Sequence, residues 1–291
     1  MPVLTVTHTT TYRYASPVIF GEHRMMMRPR DSHDLRLLDT ALTVRPAAKI
    51  RWFHDVFGNS VAIARFSEPA KELLVRSVFQ AEHFPLAESS VEIENYARTH
   101  PFSYDVSEVP DIGRAVERHY ADPDHQIDAW ARRFVEAAAD HETMTILSAM
   151  TKAIQKEFKY NPRDEMGTQD PVTTLKTKTG TCRDYALLMM EAARTLGFGA
   201  RFVSGYLYDD SKIAGGEKTV IGDGVTHAWL QIYLPGAGWV PFDPTNGLIS
   251  DRNLIRVAVT RDPSQAVPLK GSFTGKPGDF LGMHVKVEIE A

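Results

Sequence analysis

Cysteine is almost absent from this sequence: the chain of 291 residues contains one, Cys182. A single thiol excludes an internal disulfide, and it excludes a zinc site built from several cysteines. The scarcity of cysteine is typical of a reducing compartment, so we predict a cytoplasmic protein. By itself, a lone cysteine is most often a small buried apolar residue. Only the residues around Cys182 can indicate a catalytic role.

Long apolar runs and a strong excess of one charge are also missing. No stretch of about 18 apolar residues occurs, which predicts no transmembrane helix, and the first eight residues lack the basic and apolar regions of a secretory signal. The formal net charge is −4, which argues against a nucleic-acid-binding surface. We therefore expect neither a nucleic-acid nor a membrane partner. Composition leaves the oligomeric state open.

Residues 1–85 are predicted to form short antiparallel strands. Threonine and tyrosine dominate 5–14, polar and apolar residues alternate over 39–46, and Gly58-Asn59 separates two apolar segments as in a hairpin. Such a succession of strands and turns predicts a small antiparallel β-sandwich domain. Residues 86–122 contain Pro101 and Pro110 and are flanked by Pro85 and Pro123, and they are predicted to be a connecting segment with little regular structure.

Residues 123–291 are predicted to form a second domain of helices packed on an antiparallel sheet. Apolar residues at helical spacing predict helices over 124–139 and 142–158. A third helix is predicted over 182–196, capped by Thr181 and closed by Gly197. Later segments have the pattern of strands: 200–208, 226–234, 238–243 and a tail strand over 282–289. The predicted fold class is α+β, with the β domain first.

Cys182 falls in the first turn of the third predicted helix. The helix dipole places positive potential there, and free backbone N–H groups point outward. Both features favour the thiolate, which is the nucleophilic form, and the N–H groups can stabilise a developing oxyanion. This position therefore suits a catalytic cysteine better than a structural one.

A base and an orienting carboxylate are predicted on the hairpin that follows. If its turn centres on Gly236, residue 234 pairs with 238, and His227 and Asp243 become diagonal neighbours on one face, about 7–8 Å apart at the backbone. If the turn centred half a residue away from Gly236, the pairing would shift by one residue, and the two side chains would lie on opposite faces. Taken singly, a strand histidine is usually a surface or core residue and an Asp-Pro usually starts a turn. Only their order and context together point to a Cys-His-Asp constellation.

Four segments in order resemble the transglutaminase-like superfamily of papain-related cysteine enzymes: GTCRDYA at 180–186, ARFVSGYL at 200–207, THAW at 226–229 and GWVPFDPTN at 238–246. Three earlier segments resemble its bacterial branch with an N-terminal β domain: YRYASPV at 12–18, MRPR at 27–30 and DVFGN at 55–59. The resemblance implies that residues 123–291 have the papain/transglutaminase-like fold, with Cys182 as nucleophile, His227 as general base and Asp243 as orienter. Relatives take a second oxyanion donor from an aromatic residue before the cysteine, and Tyr160 is the nearest match.

These residues predict a cysteine-dependent acyl-transfer enzyme that acts on peptide or protein amides through a thioacyl intermediate. Water as acceptor makes it a protease or amidase, which we expect, since bacterial relatives are regarded as cysteine proteases. An amine acceptor makes it a transglutaminase, and a non-catalytic protein-binding module is the second alternative. No cofactor and no metal are expected, because neither a calcium loop nor a ligand spacing among His23, His33 and His54 is present. The glycine-bearing loop 209–225 is predicted to border the cleft.

Overall fold

The computed structural model describes residues 3–84, 91–162, 167–208, 224–250 and 253–290. The N-terminal region begins with six strands: β1 Val3–Phe20, β2 His23–Arg28, β3 Leu35–Arg45, β4 Ala48–His54, β5 Ser60–Phe66 and β6 Ala70–His83. Three strands from the end of the chain join them: β14 Leu269–Lys270, β15 Phe273–Thr274 and β16 Phe280–Glu290. One antiparallel sheet has the order β15-β1-β6-β3, with β16 also paired to β1, and the other has the order β14-β2-β5-β4.

The two sheets enclose an apolar core, as predicted for a β-sandwich. Its buried members come from both sheets and include Tyr14, Phe20 and Leu73 from the first and Met25 and Ala62 from the second. The predicted hairpin at Gly58-Asn59 is confirmed, since β4 pairs with β5 from Ala48↔Phe66 to His54↔Ser60.

The predicted tail strand exists, and its partner lies at the other end of the chain. β16 runs antiparallel to β1 from Thr5↔Glu290 to Tyr14↔Phe280. The division into 1–85, 86–122 and 123–291 stays a prediction. Through this pairing, residues 280–290 hydrogen-bond to β1 of the sandwich.

Among the described residues, five α-helices lie between the strand-rich regions: α1 Val109–Val116, α2 Gln126–Ala137, α3 Thr143–Glu157, α4 Pro171–Thr177 and α5 Cys182–Thr195. The helices predicted over 124–139, 142–158 and 182–196 correspond to α2, α3 and α5. The expectation that 86–122 has little regular structure is wrong for 109–116, which forms α1. Pro110 signalled a loop, but it lies in the first turn of the helix, where proline is tolerated because that N–H has no helical partner.

The C-terminal sheet is antiparallel, in the order β12-β11-β10-β9-β13. Its strands are β9 Ala200–Leu207, β10 Thr226–Leu234, β11 Gly238–Asp243, β12 Leu248–Ile249 and β13 Leu254–Thr260. A short parallel pair, β7 Lys159–Tyr160 and β8 Thr179–Gly180, lies just before α5. This arrangement of helices on an antiparallel sheet confirms the predicted α+β class.

Both faces of the C-terminal sheet are covered. On one face, Leu230 and Ile232 share a buried core with Ala186 and Met189 of α5. On the other face, Val203, Trp229 and Val259 belong to a buried cluster against which Phe57, from the turn between β4 and β5, packs. The sheet therefore lies between the helices and this turn of the N-terminal region. Across the described ranges, none of the helices is long and apolar enough to cross a membrane.

Candidate active site

Cys182 is the first residue of α5, and the helix start is held by a buried carboxylate. Asp184 Oδ2 accepts hydrogen bonds from the backbone N–H of Thr181 at 2.8 Å and from its hydroxyl at 2.9 Å. Asp184 Oδ1 accepts the Gln169 N–H at 2.6 Å. Acidic groups stabilise a helix N-terminus by satisfying its free N–H groups and by opposing its dipole. Asp184 is thus engaged in capping the helix and is not available to orient His227.

The hairpin of β10 and β11 has the predicted register. Leu234 pairs with Gly238 and Leu230 with Phe242, and Gly236 adopts a φ of 86° in the turn. His227 Nε2 lies 2.8 Å from Asp243 Oδ2. Both side chains are buried, with 1% of His227 and none of Asp243 exposed. The structure therefore brings the predicted base and orienter into hydrogen-bond contact.

Two further donors hold the Asp243 carboxylate. Asn246 Nδ2 donates to Oδ2 at 2.9 Å, and the Thr245 N–H donates to Oδ1 at 3.0 Å. Burial alone would raise the pKa of Asp243, but the charge and hydrogen bond of His227, with the Asn246 and Thr245 donors, lower it. The carboxylate is thus ionised and fixed in orientation. Sequence reasoning assigned no role to Asn246, although it ends the GWVPFDPTN segment.

The Cys182 thiol and the His227 imidazole influence each other's ionisation. Burial alone would raise the pKa of the thiol, but the proximity and charge of His227, the charge of Arg183 and the Ala228 N–H lower it. Burial alone would lower the pKa of His227, but the charge and hydrogen bond of Asp243, helped by Cys182, raise it to about 10. His227 Nδ1 is buried and makes no hydrogen bond to any described residue, which leaves it for the proton of the thiol. The electrostatics favour a thiolate–imidazolium pair.

Arg183 follows Cys182 in the first turn of α5 and is partly buried. Its guanidinium donates to the carbonyls of Pro263 at 2.6 Å and Ala266 at 3.3 Å, and it lies 4.8 Å from the centre of the Phe202 ring. These contacts fix a positive charge beside Cys182. Arg183 was named from the sequence only within the GTCRDYA segment. Its position could not be predicted there, because the carbonyls that bind it are about eighty positions away along the chain.

Tyr160 lies beside the nucleophile position. β7 places Tyr160 opposite Gly180, and the Tyr160 hydroxyl interacts with both the thiol and the backbone N–H of Cys182. Burial, followed by the negative charge on Cys182, raises the pKa of Tyr160. The hydroxyl is therefore neutral and able to donate a hydrogen bond near the sulfur. Its role as an oxyanion donor stays a prediction.

The histidines of the N-terminal region have no ligand spacing in the sequence, and two of them are placed in the β-sandwich. His23 hydrogen-bonds through Nδ1 to the Gly21 carbonyl at 2.9 Å. His54 lies at the end of β4 in the sandwich. Within the described ranges, His, Cys, Asp and Glu side chains form no group of three that could hold a metal ion. The loop predicted to border the cleft, 209–225, lies outside the described residues except for its last two positions, 224 and 225.

Comparison with known families agrees with these segments. A family model described as "Bacterial transglutaminase-like N-terminal region" matches residues 4–82, and one described as "Transglutaminase-like superfamily" matches residues 128–244. The second match includes Cys182, His227 and Asp243. The chain belongs to the transglutaminase-like superfamily. Its N-terminal region is the one that accompanies the bacterial members.

Individual relatives of this transglutaminase-like protein are distant. An uncharacterized protein of Mycobacterium leprae is 26% identical over 287 residues, 97% of each chain. A crystal structure from Cytophaga hutchinsonii, titled "Putative Cysteine Protease", has a TM-score of 0.70 and 19% identity, covering 99% of this chain and 90% of that one. This similarity shows a shared fold. A protein-glutamine gamma-glutamyltransferase of Pseudomonas aeruginosa is 33% identical over 76 residues, 26% of this chain and 11% of that protein.

Proposed function

We propose that this protein is a cysteine-dependent acyl-transfer enzyme that acts on amide bonds of peptides or proteins. In this proposal Cys182 is the nucleophile, His227 the general base and Asp243 the orienter. The observation that carries it is the His227 Nε2–Asp243 Oδ2 contact of 2.8 Å, made by a histidine whose other nitrogen is left for the thiol. A nucleophile, a base in reach and a third group that orients the base are the parts that covalent catalysis requires.

The first half-reaction follows from this geometry. The Cys182 thiolate attacks the amide carbon, the C–S bond forms, and the carbonyl electron pair moves onto oxygen. In this proposal the Tyr160 hydroxyl and the N–H groups at the start of α5 stabilise that oxyanion. When the intermediate collapses, the C–N bond breaks and the His227 imidazolium protonates the departing amine. Asp243 holds the imidazole in the required tautomer and stabilises its charged form.

The acceptor decides the second half-reaction. Water, deprotonated by His227, gives hydrolysis, which is the outcome we propose first. An amine in its place gives transamidation, and the short similarity to the Pseudomonas aeruginosa transferase favours it as the second candidate. A non-catalytic binding module is the third, but binding alone would gain nothing from a buried thiolate–imidazolium pair, whose desolvation is costly. With one cysteine in the chain, we keep the cytoplasm as the proposed compartment.

Mass spectrometry of a panel of glutamine-containing peptides, with and without a primary amine, tests this proposal. A shorter product or a deamidated glutamine supports hydrolysis, and a mass increase equal to the amine less ammonia supports transfer. Cys182→Ala serves as the control for contaminating activity. Slow alkylation of Cys182 that does not change in His227→Ala would contradict the enzyme proposal and favour a binding module.

A further inference from the structure

The turn Asp55–Asn59 joins β4 to β5 in the sandwich and is held in one conformation. The Asp55 carboxylate accepts the backbone N–H groups of Phe57 at 3.0 Å and Asn59 at 2.9 Å, and it pairs with Arg24 at 3.3 Å. Gly58 adopts a φ of 73°, a conformation that glycine tolerates best. These constraints fix the directions in which Phe57 and Asn59 project.

Asn59 binds the outer strand of the C-terminal sheet. Its Oδ1 accepts the Val259 N–H at 2.8 Å, and its Nδ2 donates to the Val259 carbonyl at 2.7 Å. β13 is an edge strand, and these backbone groups would otherwise lack a ladder partner. The Asn59 amide therefore occupies the place of a neighbouring peptide group, and it is 2% exposed.

A row of paired residues leads from this contact towards the candidate active site. Val259 of β13 pairs with Val203 of β9, and Val203 pairs with Trp229 of β10. Residues directly opposite each other in a sheet share a face, so these three side chains are neighbours. Phe57 packs against the buried cluster that contains them. The turn thus covers the side of the sheet on which Trp229 lies.

Trp229 in turn contacts the proposed base. Its ring stacks against His227 with the centroids 6.0 Å apart and the planes 25° from parallel. The ring also extends over Gly205, the residue paired with His227, where a Cβ would come within 2.7 Å of Trp229 Cη2. The buried indole N–H makes no hydrogen bond with any described residue. Within the part of the chain that the structure describes, packing therefore sets the position of this ring.

We infer that the Asp55–Asn59 turn is a positioning element for His227, with Phe57 and Asn59 as positioning residues that act through Trp229. The inference rests on the proposed function, in which His227 is the base. It assigns the N-terminal region a part in building the active site, since Phe57 packs against the cluster that contains Trp229, and the Trp229 ring stacks on the imidazole. Displacements of about 1 Å at a reacting group can cost about a hundredfold in rate, so loosening this packing has a measurable consequence.

The test is the pH profile of Cys182 alkylation by iodoacetamide, which reports the thiolate–imidazolium pair without needing a substrate. Phe57→Ala is expected to lower the rate constant near neutral pH about tenfold and to move the midpoint to higher pH. Phe57→Leu restores apolar volume and should recover most of the rate. Val56→Ala is the matched control, because Val56 lies in the same turn but is 93% exposed, and it should leave the profile unchanged.

A double-mutant cycle tests the route through Trp229. If Trp229 mediates the effect, Phe57→Ala changes the profile much less in a Trp229→Phe background, whereas additive effects would overturn the route. If Phe57→Ala lowers the melting temperature but leaves the pH profile of Cys182 alkylation as in the wild type, the inference is overturned and the proposed function stands. Wild-type alkylation that does not depend on His227 would instead contradict the proposed function. If Phe57→Ala does not fold, Asn59→Ala takes its place, and the pH profile of alkylation and the melting temperature decide in the same way.

Discussion

His227 Nε2 and Asp243 Oδ2 lie 2.8 Å apart in a contact that solvent does not reach. The two residues stand on adjacent strands of one hairpin, and three donors converge on the carboxylate: His227, Asn246 and the Thr245 N–H. A carboxylate held in this way keeps its charge, so the imidazole beside it is stabilised in the protonated form. Because Asp243 engages Nε2, only Nδ1 can exchange a proton with Cys182.

Asp243→Asn tests this relationship. An amide of the same shape can present its N–H to the imidazole and favour the wrong tautomer, so we expect the fold to persist and turnover to fall by about four orders of magnitude, as for a triad aspartate. Steady-state kinetics on a substrate found by the peptide panel measures the loss. Asp39→Asn, at an exposed position of β3, is the matched control. Unchanged turnover in Asp243→Asn would mean that another group orients His227.

The pH dependence of Cys182 reactivity follows from the opposed pKa shifts. The pKa of Cys182 is lowered and that of His227 is raised to about 10, so the ion pair exists between the two values. The alkylation rate should therefore reach its plateau below pH 8.5, the ordinary pKa of a free cysteine, and decline only as the pH falls through the lowered thiol pKa. In His227→Ala the burial that opposes ionisation is offset only by the Arg183 charge and the Ala228 N–H, so the midpoint should move to higher pH, towards that ordinary value. A wild-type midpoint at or above it would contradict the ion pair.

Local rules predicted the hairpin of His227 and Asp243 well. The register depends on where the turn falls, Gly236 marks that turn, and strand side chains alternate strictly, so one glycine decides which residues share a face. The start of α5 was predictable for a similar reason, because Thr181 and Asp184 are local capping signals. Helix caps and hairpin turns involve neighbours in sequence, and a sequence displays such neighbours directly.

Contacts between distant segments were not predictable in this way. The Asn59–Val259 pairing joins residues 200 positions apart, and β16 pairs with β1 across almost the whole chain. Neither Asn59 nor the tail strand carries a local signal that names its partner, since any edge strand offers the same backbone groups. The support of Trp229 from the sandwich therefore emerges only from the fold.

Cys182→Ala should abolish amide turnover while leaving the fold intact. The substitution removes one sulfur atom from the first turn of α5, so the cavity is small and the helix cap through Asp184 is untouched. The imidazolium keeps Asp243 as its partner. Differential scanning calorimetry should show a melting temperature within a few degrees of the wild type, as expected for a change of about 1 kcal/mol or less. A large drop in melting temperature, with residual turnover, would point to a structural cysteine.

Tyr160→Phe separates oxyanion stabilisation from nucleophile activation. The hydroxyl lies near the Cys182 sulfur and N–H, where the carbonyl oxygen of an attacked amide would develop charge. Losing one such donor should lower the rate of amide turnover about a hundredfold or more. Alkylation by iodoacetamide forms no oxyanion, so its rate should change far less. Tyr96→Phe, at a tyrosine that is 50% exposed, controls for the loss of a phenol elsewhere. If turnover and alkylation fall together in Tyr160→Phe, the hydroxyl tunes the thiol and the oxyanion role is wrong; if neither falls, Tyr160 has no part in the chemistry.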